Sequence, residues 1–216
     1  MGNGRVRGAG AGRTPAARTP ALATREVPTG LVGTLTLVAS DEALVGCHFE
    51  REAAKLRAEL AGAGDAAAAN KLAACGTAAG DAATAVLDRA EAWLGRYLAG
   101  ETPSPSELPL EPHGTPFQLA VWEELRTIPY GQTRTYGQVA AALEHHLGHR
   151  MSAQAVGQAV GRNPIGVIVP CHRVMGASGR LTGFGGGIDA KLALLAHEGI
   201  EVAGLVRPRA TNDRTS

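Results

Sequence analysis

No helix or central strand can run through residues 102–116, because five prolines fall within that stretch, TPSPSELPLEPHGTP. Each lacks the N–H that a helical bond or a sheet ladder requires. The chain is therefore expected to divide around a Pro-rich linker at 102–112. Before it, LVGTLTLVAS and ALVGCHFE are short β-rich runs on either side of the polar pair Asp41-Glu42, the pattern of a hairpin. Residues 61–85 are Ala- and Gly-rich and read as a loop or weak helix. AVLDRAEAWLGRYLAGE then puts Val86, Leu87, Ala90, Trp93, Leu94, Tyr97 and Leu98 on one helical face. Beyond the linker, FQLAVWEELRTI, TYGQVAAALEHHL and MSAQAVGQAVG read as three helices. The tight Gly148-His149-Arg150 connection between the last two suggests a helix-turn-helix of winged-helix-like type. The expected fold class is α+β: an N-terminal β-sheet/helix domain at 27–101 and a mainly helical domain at 113–204. A disordered basic tail at 1–26 and a C-terminal tail at 205–216 flank them.

Of the 216 residues, 44% are hydrophobic and 19% charged, ordinary values for a globular protein with its own core. Three cysteines, Cys47, Cys75 and Cys171, are too few and too scattered for a disulfide framework or a Cys-rich zinc site, which fits a reducing cytoplasm. No apolar run approaches the roughly 18 residues of a membrane span, and no signal-peptide core is evident. His145 and His149 stand one helical turn apart, but without an acid in ligand spacing no metal site is expected. The net charge of +1 hides an asymmetry, since residues 126–180 hold six arginines (126, 134, 150, 162, 173, 180) against one acid, Glu144. Such a segment suits phosphates, or is simply a solvated basic face. The third helix offers Ala153, Ala155, Gly157, Ala159 and Gly161, with only Gln154 and Gln158 able to reach base edges. It can lie close to DNA without choosing a sequence.

The chemistry concentrates in PCHRV, residues 170–174, which follows the apolar run Gly166-Val167-Ile168-Val169. That run reads as a short buried strand ended by Pro170, so that Cys171 begins a turn. A thiol attacks as thiolate, and the neighbours His172 and Arg173 are residue types that lower a thiol pKa. Taken alone, such a pair is more often a buried structural cysteine than a catalytic one. The glycines of RVMGASGRLTGFGGG permit a loop against which a flat ligand can lie. The closing helix DAKLALLAHEG carries Glu198, a carboxylate able to take a proton from His172 if the helix packs beside the strand. Cys171, His172 and Glu198 would then form a triad by role.

Together NPIGVIVPCHRV, GRLTGFGGG, LLAHEG and, upstream, GTPFQLAVWEELRTIPYGQTRTYGQVA resemble the O6-alkylguanine-DNA alkyltransferase family, strongly over residues 113–200. TGLVGTLTLVASDEALVGCHFE resembles its N-terminal part more loosely. The resemblance implies irreversible transfer of an alkyl group from O6 of guanine, and from O4 of thymine, to Cys171. Each molecule acts once and needs no cofactor. By motif, His172 would be the base acting through a water and Glu198 would polarise it. Asn163 would brace the turn, and Tyr136 would adjust a phosphate and protonate the departing guanine. The backbone near Gly185, the carbonyls of Cys171 and Val174, and the Phe184 ring would hold the flipped base. Double-stranded DNA, approached from the minor groove without sequence preference, would meet Ala153, Gln154, Gly157, Arg150, Arg162 and Arg173. A cytoplasmic monomer without membrane contact is implied. Three departures stand out: Gln154 replaces the arginine that fills the vacated stack, Phe184 replaces a tyrosine, and the EHHLGHR connection is long. The competing classes are a non-catalytic lesion sensor, which would lack the cysteine, a cysteine hydrolase using Cys171, His172 and Glu198, and a methyl-responsive regulator, which would need a second methyl-accepting domain.

Overall fold

The computed structural model describes residues 22–54, 80–148 and 150–208. Strands β1 (Ala23–Pro28), β2 (Thr34–Ala39) and β3 (Leu44–Phe49) form an antiparallel sheet in sequence order. The hairpin expected around Asp41-Glu42 joins β2 to β3, and a register shift at Val38/Ala39 marks a bulge. β1 corrects the expected limit of the basic tail. Ala23 and Val27 are buried in the sheet, and Arg25 bonds Asp88 and Glu91, so residues 23–26 have both the apolar contacts and the charge partners that ordering requires. The rest of the expected tail, 1–21, lies outside the described residues, as does most of the 61–85 stretch.

Helix α1 (Asp81–Leu98) lies on this sheet through Ala83, Val86, Leu87, Ala90, Trp93, Leu94 and Tyr97. The indole of Trp93 donates to the Ser104 carbonyl at 2.9 Å, which starts the Pro-rich segment back along the sheet. That segment, read as a linker, is built into the fold. A 3-10 turn at Pro105–Glu107 is capped by Ser104 and Glu107, Leu108 is buried, and Leu110 forms a bridge with Leu44. Proline excludes a central strand but not a rung on a sheet edge, where one side of the backbone needs no partner.

Three helices follow. In α2 (Pro116–Arg126) Thr115 and Gln118 form a capping box with Pro116 at the first helical position. In α3 (Tyr136–Leu147) Thr135 and Gln138 repeat the box, and Gly148 ends the helix at φ 75°. Ser152 caps the short α4 (Ala153–Val160). The long connection is pinned where Glu144 accepts the Met151 N–H at 2.6 Å. Small residues bring α4 close to its neighbours. The Trp122 indole donates to the Ala159 carbonyl, and Gly157 faces the Tyr136 ring. β4 (Arg134–Thr135) pairs in parallel with β5 (Val174–Met175), and α5 (Ile188–His197) closes the fold.

One hydrophobic cluster runs from Leu35, Leu37 and Trp93 through Trp122, Val139 and Val156 to Ile165, Ile168 and Cys171. The sheet and the helical part thus share a core. The expected C-terminal tail also begins too early, because Leu181 donates to the Val206 carbonyl and Val206 to that of Gly179. No described helix is long and apolar enough to cross a membrane.

Candidate active site

The apolar run before PCHRV is not a strand. Ile165 forms a single bridge to Cys47, and residues 166–168 turn sharply, with Val167 at φ 66°. The reason is Asn163. Its Nδ2 donates to the carbonyls of Val169 (2.8 Å) and Ile165 (3.3 Å), and its Oδ1 accepts the Ile165 N–H at 3.1 Å. These bonds replace a sheet ladder, and they hold a β-branched residue in a left-handed conformation that it disfavours. The turn is fixed from outside by β3, whose Cys47 donates to the Pro164 carbonyl and accepts from Gly166. As expected, a turn then starts at Cys171, in 3-10 form through Arg173.

His172, Arg173 and Glu198 converge behind this turn. His172 Nε2 lies 2.7 Å from Glu198 Oε1, with both side chains fully buried. Arg173 grips the same carboxylate through Nε (2.8 Å) and Nη2 (2.9 Å) and donates from Nη1 to the Ile128 carbonyl. The Tyr97 hydroxyl and the Gly131 N–H complete the set. Burial disfavours a charged imidazole and holds His172 below its ordinary value, against the pull of Glu198. A neutral ring donating from Nε2 leaves Nδ1 as the basic atom, and Nδ1 is buried without a protein partner. Burial works against the Glu198 carboxylate as well, but His172 and Arg173 together hold it down, to about 2. Since the imidazole is kept neutral, Arg173 supplies the balancing charge.

Arg173 therefore leaves the expected DNA-contacting set: the residue is 7% exposed and its guanidinium is spent on Glu198. It is not the cation beside the thiol either. Burial pushes the Cys171 thiol up to about 11, opposed by a hydrogen bond from Asn163 and by the charge of Lys191. Lys191 is 1% exposed, and its Nζ donates to the Val174 carbonyl and sits 5.8 Å from the centre of the Phe184 ring. Burial brings this amine down to about 8. The sequence reading missed Lys191, although a signal exists: it stands one and two turns before Leu194, Leu195 and Glu198, on the buried stripe of α5.

Cys171 borders a cavity of about 20 Å³ together with Asn163, Tyr136, Phe184, Gly185 and Lys191. The Tyr136 hydroxyl is 2.6 Å from Thr182 Oγ1, and Phe184 meets Phe49 edge-on at 5.1 Å. Outside lies a groove of about 1070 Å³, walled by Ala153, Gln154, Gly157, Gln158 and Arg162 on one side and by His48, Arg51 and Glu52 on the other. The second wall was not anticipated, because nothing in the pattern of ALVGCHFERE ties it to residues a hundred positions later. Val174 is wholly buried, with its carbonyl engaged by Lys191. Arg150 is exposed but is not among the residues lining the groove.

The basic segment is less free than its composition suggests. Arg126 pairs with Glu123, Arg134 with Glu124 and Arg173 with Glu198, acids lying outside the 126–180 window. Arg150, Arg162 and Arg180 remain exposed.

Residues 116–200 match the family model described as 6-O-methylguanine DNA methyltransferase, DNA binding domain. A methylated-DNA–protein-cysteine methyltransferase of Mycolicibacterium paratuberculosis is 52% identical over 105 residues, which are 49% of this chain and 61% of that protein. One from Methanosarcina acetivorans is 51% identical over 106 residues, 49% of this chain and 65% of its own. The matched stretch thus spans less than two thirds of these relatives. Structural similarity extends further: the Mycobacterium tuberculosis O6-methylguanine methyltransferase superimposes with a TM-score of 0.59 at 36% identity, covering 82% of this chain and 92% of that one. The M. tuberculosis protein solved in complex with DNA gives 0.58 at 34% identity, over 86% and 94%. With the turn, the buried carboxylate and the α3–α4 pair all falling within the matched regions, the chain belongs to the O6-methylguanine-DNA methyltransferase family.

Proposed function

We propose that this protein repairs alkylated DNA by taking the alkyl group from O6 of guanine, and from O4 of thymine, onto Sγ of Cys171. The observation that carries the reading is a thiol bordering a small cavity that shares lining residues with a groove walled by the small-residue helix α4. A lesion stacked in a duplex cannot reach such a thiol unless its nucleotide is turned out of the helix. Ala153 and Gly157 let α4 approach the minor groove closely, Gln154 stands in for the displaced base, and Arg162 and Arg150 meet phosphates without selecting a sequence.

In the chemical step the Cys171 proton passes through a water to Nδ1 of His172, whose Nε2–H is steadied by Glu198. The thiolate attacks the alkyl carbon, an S–C bond forms as the C–O bond breaks, and the electron pair leaves with guanine. The Tyr136 hydroxyl is the proton donor placed at the cavity wall, and Lys191 stabilises the thiolate. Gly185 backbone, the Phe184 face and the Cys171 carbonyl hold the base, while Asn163 keeps the turn rigid. The thioether product is a poor leaving group, so each molecule acts once and no cofactor enters the scheme. A monomer acting on chromosomal DNA within the cytoplasm suits this use.

Incubation with duplex DNA carrying a labelled O6-methyl group tests the reading. Covalent label on the protein, saturating at one per molecule, is the expected result. Binding without transfer identifies a lesion sensor, and release of label into solution with turnover identifies a hydrolase.

A further inference from the structure

One charged side chain in the pocket has no part in this scheme. Glu52 lies on a helical turn at 50–54, directly after β3, and reaches inward so that Oε2 accepts the Phe49 N–H at 3.3 Å. Its Oε1 sits against Gly185, within 1.6 Å of where a Cβ would stand on that glycine. It borders both the outer groove and the inner cavity of Cys171. Among the residues that border both, it alone carries a formal charge and alone comes from the N-terminal sheet region. The inner cavity, about 20 Å³, has room for a water but not for a purine, given that a cavity of about 150 Å³ is what benzene occupies.

We propose that the Glu52 carboxylate is a gate over Cys171: in the DNA-free protein it caps the pocket against Gly185, and the incoming base must displace it. The placement suits a movable group. Arg51 and Ala54 beside it are exposed, and the hydrogen bond that the carboxylate accepts from the Phe49 backbone N–H is long. Burial pushes the Glu52 carboxyl above its ordinary value, which makes the capped position costly for the charged form. Its charge also opposes ionisation of the Cys171 thiol. While capped, the single-use thiol is shielded and kept protonated. Once the base has moved Glu52 aside, that opposing charge is gone at the moment the thiolate is needed. The gate rests on the alkyl-transfer reading for its purpose, but not for its measurement.

Glu52→Ala, Glu52→Asp and the wild type are compared in two reactions at Cys171: labelling by iodoacetamide, which needs no repair function, and benzyl transfer from free O6-benzylguanine, which needs no flipping. Both rates are expected to rise about fivefold or more in Glu52→Ala, the gain when a pocket open only a minority of the time becomes permanently open. Glu52→Asp, one methylene shorter, should fall between, and it decides the matter if the alanine variant does not fold. Unchanged or slower rates in a variant that melts like the wild type overturn the gate, slower benzyl transfer alone meaning that Glu52 binds the base. If the wild type accepts neither benzyl nor methyl, the alkyl-transfer reading fails while iodoacetamide still reports on the gate.

Discussion

Lys191 and Cys171 are a buried amine and a buried thiol, one brought down to about 8 and the other pushed up to about 11, each easing the ionisation of the other. The thiolate at neutral pH therefore depends on Lys191 more than on Arg173, whose charge is taken by Glu198. Replacing Lys191 by Met removes the facing cation, so the thiol pKa must move further up. Losing about 1.4 kcal/mol of attraction lowers the thiolate population about tenfold at a given pH. The rate of iodoacetamide labelling against pH should shift to higher pH in Lys191→Met and stay near the wild-type curve in Lys191→Arg. A Met curve that overlays the wild type removes Lys191 from the activation scheme. The legibility of these residues differs for a physical reason. Cys171, His172 and Glu198 are readable because two are adjacent in sequence and the third ends a helix on a readable stripe. Arg173 was misplaced because its partner lies 25 residues away, and composition counts charge without saying where it is spent.

Glu198 ties three elements together: the 3-10 turn through His172 and Arg173, α1 through Tyr97, and the turn between α2 and β4 through the Gly131 N–H. Glu198→Gln leaves Arg173 buried without its counter-charge and should cost about 3–5 kcal/mol, seen as a large drop in Tm at neutral pH. The pH dependence has a fixed sign. The Glu198 carboxyl titrates at about 2 in the fold, below its value of about 4.5 in the unfolded chain, so its contribution is full above about 4.5 and is lost as pH falls toward 2. The glutamine variant should therefore lose that part of the acid sensitivity, and an unchanged acid limb contradicts the role. Helices α2, α3 and α4 were legible because caps and apolar spacing are local properties of the chain. The turn at 165–169 was not, because a β-branched run is strand-forming unless a side chain such as Asn163 takes over its backbone bonds. On α4 itself, Gln154 faces the groove where the family resemblance places arginine. Gln154→Arg should speed repair of duplex DNA several-fold while leaving transfer from free O6-benzylguanine unchanged, since only the duplex needs a nucleotide displaced. Equal changes in both reactions would mean that the residue acts through the pocket or the fold.

Across the whole molecule, β3 is the element that joins the two halves. One edge pairs with β2, and the other carries Leu110 from the Pro-rich segment and Ile165 from the turn before Cys171. An otherwise open sheet edge is thereby covered, and the turn bearing the thiol gains a rigid support. A reading of segments as domains and linker missed this, because edge bridges need one or two residues each and leave no period in the sequence. The shared core and the second groove wall follow from the same arrangement, which places His48, Arg51 and Glu52 opposite α4. The claim on which all of this turns is that Cys171 receives the alkyl group. After reaction with duplex O6-methylguanine DNA, intact mass followed by peptide mapping should show one added methyl group, carried by the peptide containing Cys171 and absent from Cys171→Ala. A methyl group mapped to Cys47 or Cys75, or retained in the alanine variant, would contradict it.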